Sequence, residues 1–326
     1  MQDDPLRVID ECLIGLLGEH GVIRIIKAYA KVFLGAQVVS LSTRNSFGVA
    51  LAALPGDKTV ISTWDGTIDI WDPSTGRQEL ALFGHQRLVY ALVVLQDGMI
   101  ASGSADGTIC VWNPSSGLCI LTLTTYTGPM SNLKIVSALE VLDGNTLASG
   151  SGDGVVRTWD LAKRICLLTL VGHDTYPIFA LAALPGNKLA SGGGDGAICI
   201  WDLSSGECAL TLQHAPTRVD SLILLPDGKL ASAGGQTCTV RMWDLKTGVC
   251  VGALVGHTKG IFALCLLGDG TLASGSKDHS IRVWDMKTNT CVNTLYGHDG
   301  AVFDLQALRD CRLASASLDG TVRIWH

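Results

Sequence analysis

The sequence predicts an all-β fold, a ring of seven four-stranded blades, from three observations. Seven tryptophans recur at spacings of 41, 47, 42, 42, 41 and 41 residues. Apolar and polar residues alternate on both sides of a turn at Asp278 in the unit Leu266–Asp285, and similar stretches recur along the chain. Glycine occupies 38 of 326 positions, above the usual share of about 7%. A period of about 40 residues with this content is typical of β-propeller blades.

The overall composition limits the classes of partner and compartment. With 47% hydrophobic and 17% charged residues the chain can bury a large core, and its net charge of −6 argues against a nucleic-acid partner held by a basic surface. The N-terminus, MQDDP, lacks the basic start of a secretory signal. The apolar run Cys12–Leu17 is too short to span a bilayer. We therefore expect a cytoplasmic protein, with the nucleus left open, that is neither secreted nor inserted in a membrane.

Residues 1–34 precede the repeats and form a first predicted unit. Pro5–Leu17 and Val22–Leu34 each carry apolar residues at helical spacing, with a break at Gly18–Gly21. The prediction is a helical hairpin. It has two interpretations: a cap packed on the ring, or an arm that docks an adaptor or mediates oligomerisation.

Residues 35–326 form the second unit, and its ends predict how the ring closes. Gly35–Pro55 aligns without a gap onto Gly206–Pro226, so Val38–Leu41 corresponds to an outermost strand with no blade before it. The chain ends at Trp325 and His326, on the third strand of a blade that lacks its outermost strand. We expect the N-terminal strand to complete the last blade, which leaves no open sheet edge between first and last blades.

Eleven cysteines do not indicate a disulfide framework. Five of them fall seven residues after a repeat tryptophan: Cys119, Cys166, Cys208, Cys250 and Cys291. Equivalent positions in separate blades are too far apart for a disulfide or a shared zinc ion. We expect small buried side chains in a reducing compartment.

The residues around the repeat tryptophans resemble those of the WD-repeat family. The residue after each tryptophan is Asp, Asn, Asp, Asp, Asp, Asp and His in turn, and Gly-His pairs occur at 84–85, 172–173, 256–257 and 297–298. The resemblance covers residues 36–326. It implies, in each blade, a hydrogen-bonded set of a turn Asp, the His of Gly-His, a Ser on the second strand and the Trp on the third. The complete sets are Asp106, His85, Ser102 and Trp112; Asp195, His173, Ser191 and Trp201; Asp278, His257, Ser274 and Trp284; and Asp319, His298, Ser315 and Trp325.

Three blades depart from this pattern and are expected to be less rigid. The first has Ser42 and Thr43 in place of Gly-His, and the third has Ser149 and Asp153 but no His. The fifth keeps His214 and Ser232 but has Gln236 and Thr237 at the position of the Asp.

Recurring Asp, His and Ser could suggest a catalytic triad, but one active site does not appear four times at a fixed phase around a ring. The glycine-rich stretches Gly150–Gly154 and Gly192–Gly196 lead into strands instead of helices, so neither is a phosphate-binding loop. No ligand set for a metal is recognisable. We expect no catalytic residues, no cofactor and no metal, and hence a protein that is not an enzyme.

In the resembled family, partners usually lie over the narrow top face of the ring. Three positions per blade point there, and they define the candidate partner-binding residues Phe47, Trp64, Leu88, Tyr90, Phe179, Arg218, Asp220, Phe262, Lys277, Phe303 and Leu318. Their aromatic rings either form an exposed apolar rim or pack between blades. Nearby loop charges are five positive against three negative, so the expected ligand is a peptide segment with apolar anchors and some acidic or phosphorylated character.

The function expected is that of a non-catalytic scaffold that binds peptide segments of other proteins and assembles complexes. The alternative is recognition of substrate or ubiquitin in the ubiquitin–proteasome system, although no adaptor-binding motif is identifiable. The third blade also has an extra loop, Thr124–Asn132, six residues longer than its counterparts. This loop is either functional or a tolerated insertion.

Overall fold

The computed structural model describes residues 39–42, 50–125, 135–214, 217–309 and 311–326. Over these residues the chain forms 28 β-strands in seven four-stranded sheets. The sheets are antiparallel and follow one another around a ring. The all-β, seven-bladed propeller predicted from the tryptophan period is confirmed. The predicted helices of residues 1–34 and most of the predicted loop Thr124–Asn132 lie outside the described residues.

In every blade except the last, the four strands are consecutive in the sequence. Blades 1 to 3 contain β2 (Leu51–Ala53), β3 (Thr59–Ser62), β4 (Ile68–Asp72) and β5 (Arg77–Leu82); β6 (Val89–Val94), β7 (Ile100–Ser104), β8 (Thr108–Trp112) and β9 (Cys119–Thr124); β10 (Val136–Val141), β11 (Thr146–Ser151), β12 (Val155–Asp160) and β13 (Ile165–Val171). Blades 4 and 5 contain β14 (Ile178–Leu184), β15 (Lys188–Gly193), β16 (Ala197–Asp202) and β17 (Glu207–Gln213); β18 (Ser221–Leu224), β19 (Leu230–Ala233), β20 (Thr239–Trp243) and β21 (Cys250–Val255). Blades 6 and 7 contain β22 (Ile261–Leu266), β23 (Leu272–Ser276), β24 (Ile281–Asp285) and β25 (Thr290–Leu295); β26 (Val302–Ala307), β27 (Leu313–Ser317), β28 (Thr321–Trp325) and, from the start of the chain, β1 (Val39–Ser42).

Blade 7 closes the ring with a strand from the N-terminal side. β1 pairs antiparallel with β28, with Val39 opposite Ile324 and Ser42 opposite Thr321. The strand order β1-β28-β27-β26 places β1 outermost. The predicted closure is therefore present, and the first and last blades are tied together by main-chain hydrogen bonds.

The core lies between blades, where the second strands are buried along their whole length or, in β11 and β15, along all but their first residue. Leu and Ile side chains of one blade pack against the tryptophan of the next, so that Ile68 of blade 1 shares a cluster with Trp112 of blade 2. Gly103 shows why glycine occurs inside these strands. A Cβ atom there would lie 2.5 Å from Cγ1 of Val136 in blade 3, so only glycine allows this approach.

The structure corrects the expectation for the five periodic cysteines. Cys119, Cys166, Cys208 and Cys250 are exposed and Cys291 is half-buried. They lie at the start of the outermost strands, which have a neighbouring strand on one side only. Hydrophobicity of the residue type did not reveal burial, because an outermost strand is open to solvent along its free edge.

Candidate functional site at the top of the ring

The top face is the end of the ring where the Gly-His loops and the turns between second and third strands lie. The side chains at its centre are set by β-bulges in the innermost strands. In five blades the register slips by one residue at the same place, and the extra residue is Tyr90, Ser137, Phe179, Phe262 or Phe303. A bulge redirects a side chain out of the regular alternation. Here it turns these residues toward the mouth of the central channel.

Arg218 lies at the centre of an aromatic cluster formed by three of these rings. Its guanidinium carbon is 4.9 Å from the ring centroid of Phe179 and 5.8 Å from that of Phe262. Phe262 in turn contacts Phe303, with ring centroids 5.1 Å apart. Such cation–π contacts stabilise the arginine by about 0.5–1 kcal/mol each at a surface site. The planar group is therefore held in place between two blades.

Asp220 fixes the direction of the guanidinium. Its Oδ1 lies 2.8 Å from Nε of Arg218, and its other oxygen accepts a hydrogen bond from the main-chain amide of Gly235. Burial raises the pKa of Asp220, although the charge of Arg218 opposes this. The closest contact of the pair is at Nε, and no hydrogen bond from the two terminal nitrogens of Arg218 is found among the described residues.

These side chains line an open cavity of about 440 Å³. The lining residues predicted from the sequence are Trp64, Leu88, Tyr90, Phe179, Arg218, Asp220, Phe262 and Phe303. Trp64 and Tyr90 are exposed, at 53% and 38%, while the three phenylalanines are half-buried. The two expected environments of the aromatic rings, an exposed rim and packing between blades, are thus combined. The ring edges pack between blades and the remaining ring surface faces the cavity.

Two other predicted top-face residues are placed away from the cavity, and a third is not described. Lys277 and Leu318 are exposed but do not line the cavity. Phe47 lies outside the described residues. Ile135, Ser137 and Pro177 also line the cavity. They occupy the predicted top-face positions of blades 3 and 4.

Below the top face, four blades contain the same hydrogen-bonded set. In blade 2, Nδ1 of His85 donates to Asp106 at 2.9 Å, and Nε2 accepts from the Ser102 hydroxyl at 2.7 Å. Nε1 of Trp112 donates to the same hydroxyl at 2.8 Å. The carboxylate can only accept, so Nδ1 carries a proton. The equivalent sets are His173, Asp195, Ser191 and Trp201; His257, Asp278, Ser274 and Trp284; and His298, Asp319, Ser315 and Trp325.

The protonation states agree with a structural role for these sets. Burial opposes ionisation of Asp106, but hydrogen bonds from His85, from Thr108 and from the Gln86 amide outweigh it and lower its pKa. Burial lowers the pKa of His257, although Asp278 opposes this shift. A neutral histidine tied to an ionised aspartate links the turn to the second strand.

The three departing blades replace the set in different ways. In blade 3, Arg157 takes the role of the missing histidine and forms an ion pair of 2.7 Å with Asp153, while Trp159 still donates to Ser149. In blade 5, His214 bonds Ser232 at 2.8 Å and approaches Thr237 at 3.4 Å.

Blade 1 departs furthest, because it lacks the serine of the set as well as the Gly-His pair. Ile61 occupies the position of the serine, and Nε1 of Trp71 is buried without a hydrogen-bond partner in the described structure. An unsatisfied buried donor costs about 1–3 kcal/mol. The substitution is visible in the sequence, because Ile61 stands ten residues before Trp71, where the other blades have serine at the same phase of the repeat.

Two half-buried carboxylates that bond the neighbouring blade were not anticipated. Asp304 occupies a position that is alanine in most blades, and its Oδ2 accepts from the Leu51 amide of blade 1 at 2.6 Å. Glu140 likewise accepts from the Ala183 amide of the neighbouring blade at 3.1 Å. Burial raises the pKa of both side chains to about 7. For Asp304 the sequence did contain a signal, because a carboxylate stands at a repeat position that most blades fill with alanine.

Two further features are absent from the described ranges. No group of three His, Cys, Asp or Glu side chains there is arranged to bind a metal ion. No helix among the described residues is long and apolar enough to cross a membrane.

Comparison with known families agrees with this geometry. The family model described as WD domain, G-beta repeat, matches six segments, residues 76–113, 119–160, 164–202, 206–244, 248–285 and 289–326. The chain therefore belongs to the WD-repeat family, whose propellers are generally non-catalytic scaffolds that bind other proteins. The six matches leave out most of blade 1, the blade with Ile61 and without Gly-His. No curated protein is significantly similar to the chain.

Proposed function

We propose that this propeller is a non-catalytic interaction platform that binds a peptide segment of a partner protein on its top face. The observation that carries the proposal is the Arg218 cluster at the channel mouth, beside a cavity of about 440 Å³. An apolar cavity with one fixed charged group is typical of a site that recognises a side chain and orients its chain.

The chemistry of the cavity favours an apolar anchor followed or preceded by an acidic group. Tyr90, Phe262 and Phe303 offer an apolar wall for the anchor. No hydrogen bond from the terminal nitrogens of Arg218 is found among the described residues, and these nitrogens can form a bidentate pair with a carboxylate or a phosphate. Because Arg218 is already held by Asp220 and two rings, it loses little side-chain entropy on binding.

The proposal is tested with peptides selected from a random library against the purified protein. Their affinity is then measured by fluorescence anisotropy for the native protein and for Arg218→Ala and Phe262→Ala. Central aromatic and arginine residues that act as hot spots contribute about 2 kcal/mol or more, so each substitution should weaken binding roughly 30-fold or more.

Tyr296→Ala is the matched control, since Tyr296 is 74% exposed on an outer strand end and does not line the cavity. It should leave the affinity unchanged. Equal binding by all four proteins would place the peptide site elsewhere. Phosphorylated and unphosphorylated forms of a selected acidic peptide then decide between phosphate and carboxylate as the preferred anion.

The ubiquitin–proteasome alternative remains a prediction. Nothing in the described part of the chain favours it over other partners. Assembly through residues 1–34 is likewise a proposal, which comparison of the full chain with residues 35–326 by light scattering tests.

A further inference from the structure

Blades 2 and 4 each place two cysteines next to one another across their outer two strands. In blade 2, Cys119 of β9 lies opposite Trp112 of β8, and Cys110, two residues before that tryptophan, lies opposite Thr122. A one-residue bulge at Ile120 lies between these two pairings, so the two cysteines are close to diagonal neighbours across the two strands. Cys199 and Cys208 occupy the equivalent places in blade 4.

The side-chain contacts bring the two sulfur atoms of each pair together. In blade 2, Sγ of Cys110 and Sγ of Cys119 lie 3.7 Å and 3.5 Å from the same Thr122 hydroxyl. The neighbouring Cys119 thiol also contributes to the raised pKa of Cys110. In blade 4 the Cys208 sulfur lies 3.5 Å from the Thr211 hydroxyl, and the Cys208 thiol likewise contributes to the raised pKa of Cys199.

Each pair joins a buried thiol to an exposed one. Cys110 and Cys199 are buried, whereas Cys119 and Cys208 are exposed. An oxidant can therefore reach one member of a pair from solvent, and the other is protected.

The remaining blades provide an internal comparison. Blades 3, 5 and 6 also have a cysteine at the start of the outer strand, but arginine stands at the inner position, as Arg157, Arg241 and Arg282. Those cysteines have no thiol at the equivalent inner position. The same strand position thus occurs with and without a second thiol in one protein.

We propose that Cys110–Cys119 and Cys199–Cys208 are dithiol sites that close reversibly to disulfides when a low-molecular-weight disulfide oxidises them. The exposed thiolate attacks one sulfur of the oxidant, whose S–S bond breaks and releases a first thiolate. The buried thiolate then attacks the sulfur of the mixed disulfide, forms the protein disulfide and releases a second thiolate. The pair loses two electrons and two protons, and the oxidant becomes two thiols.

The geometry permits this closure with a small movement. Diagonal neighbours in a sheet have Cα atoms about 7–8 Å apart, roughly 1 Å beyond the usual range for a disulfide. β9 and β17 are outermost strands, hydrogen-bonded on one side only, so they can approach their inner neighbours without displacing another strand.

The chemistry of the buried thiol also predicts how the rate depends on pH. Burial, with the neighbouring thiol, raises the pKa of Cys110 and of Cys199 to about 12. The second attack requires the thiolate of that residue. Closure of the mixed disulfide should therefore accelerate about tenfold for each unit of pH near neutrality.

The test is mass spectrometry of tryptic peptides after the folded protein is incubated with oxidised glutathione and then trapped in acid. Each pair falls on one peptide, Leu88–Lys134 or Leu189–Arg218, with no other cysteine. Each of these peptides should lose two hydrogens and regain them with dithiothreitol. Ile165–Lys188 and Thr247–Lys259 contain a single cysteine each, Cys166 or Cys250, and should carry glutathione instead.

Cys119→Ser is the informative variant, because an exposed position tolerates the change without loss of fold. It should leave Cys110 unmodified while Leu189–Arg218 still closes, and Cys166→Ser should change neither pair. The proposal is overturned if Cys119 and Cys208 accumulate glutathione as Cys166 does, or if both pairs stay reduced while Cys166 and Cys250 react. Binding of top-face peptides is measured separately, so the two proposals fail independently.

Discussion

Removal of an indole N–H should have opposite consequences in blades 1 and 2. Trp112 donates its N–H to Ser102 at 2.8 Å, whereas the N–H of Trp71 is buried without a partner in the described structure. Trp112→Phe removes a hydrogen bond with a net contribution of about 1 kcal/mol. Trp71→Phe removes an unsatisfied donor whose burial costs about 1–3 kcal/mol. Both substitutions share the loss of ring volume.

The difference between the two variants isolates the hydrogen bond. Trp112→Phe should lower the free energy of unfolding by about 2–4 kcal/mol more than Trp71→Phe does. Equilibrium unfolding in urea, followed by circular dichroism, measures this difference. Trp201→Phe repeats the test in blade 4, where the N–H to Ser191 distance is 2.7 Å. Equal losses for Trp71→Phe and Trp112→Phe, or a larger loss for Trp71→Phe, would refute the reasoning.

Three further predictions concern stability. Burial raises the pKa of Asp304 to about 7, so the folded state holds its proton between about pH 4 and pH 7, and the resulting stability is lost as pH rises through 7. Asp304→Asn should remove this pH dependence, so that its unfolding free energy in urea gains about 2–4 kcal/mol relative to the native protein between about pH 4 and pH 8; parallel pH profiles would contradict it. Arg157→Met breaks the largely buried pair with Asp153 and should cost about 1–3 kcal/mol, whereas Lys163→Met, at an exposed pair, should cost less than about 1 kcal/mol; similar midpoints of urea unfolding for both would be inconsistent with this. Gly103→Ala should lower the thermal midpoint through the clash with blade 3. Each kcal/mol of lost stability should lower the midpoint by less than the several degrees typical of smaller domains. An unchanged midpoint would show that the blades can separate freely.

Much of the fold follows from short-range sequence patterns. The tryptophan spacing locates every blade because each Trp lies on a third strand, whose partners are close in sequence. Closure by β1 was predictable for the same reason, since the N-terminal segment aligned with an outer strand of another blade. The centre of the top face was also predictable, because the bulged residues recur at one phase of the repeat.

What the sequence did not reveal depends on contacts between distant parts of the chain. The bond from Leu51 to Asp304 joins residues 253 positions apart, so the repeat can mark Asp304 as unusual but does not identify its partner. The exposure of Cys119 and Cys208 depends on which face of an outermost strand remains uncovered. Arg157 replaces a histidine from a different strand, so the ion pair with Asp153 has no counterpart in the Gly-His motif.

The central claim is that the top face is the surface that binds partners. The most direct test is affinity capture from cytosol with the full chain, with Phe179→Ala/Phe262→Ala/Phe303→Ala, and with residues 35–326. We expect captured proteins to be lost with the triple variant and retained by residues 35–326, provided that circular dichroism shows all three to be folded. Loss of the captured proteins only when residues 1–34 are removed would contradict the claim and assign binding to the N-terminal segment.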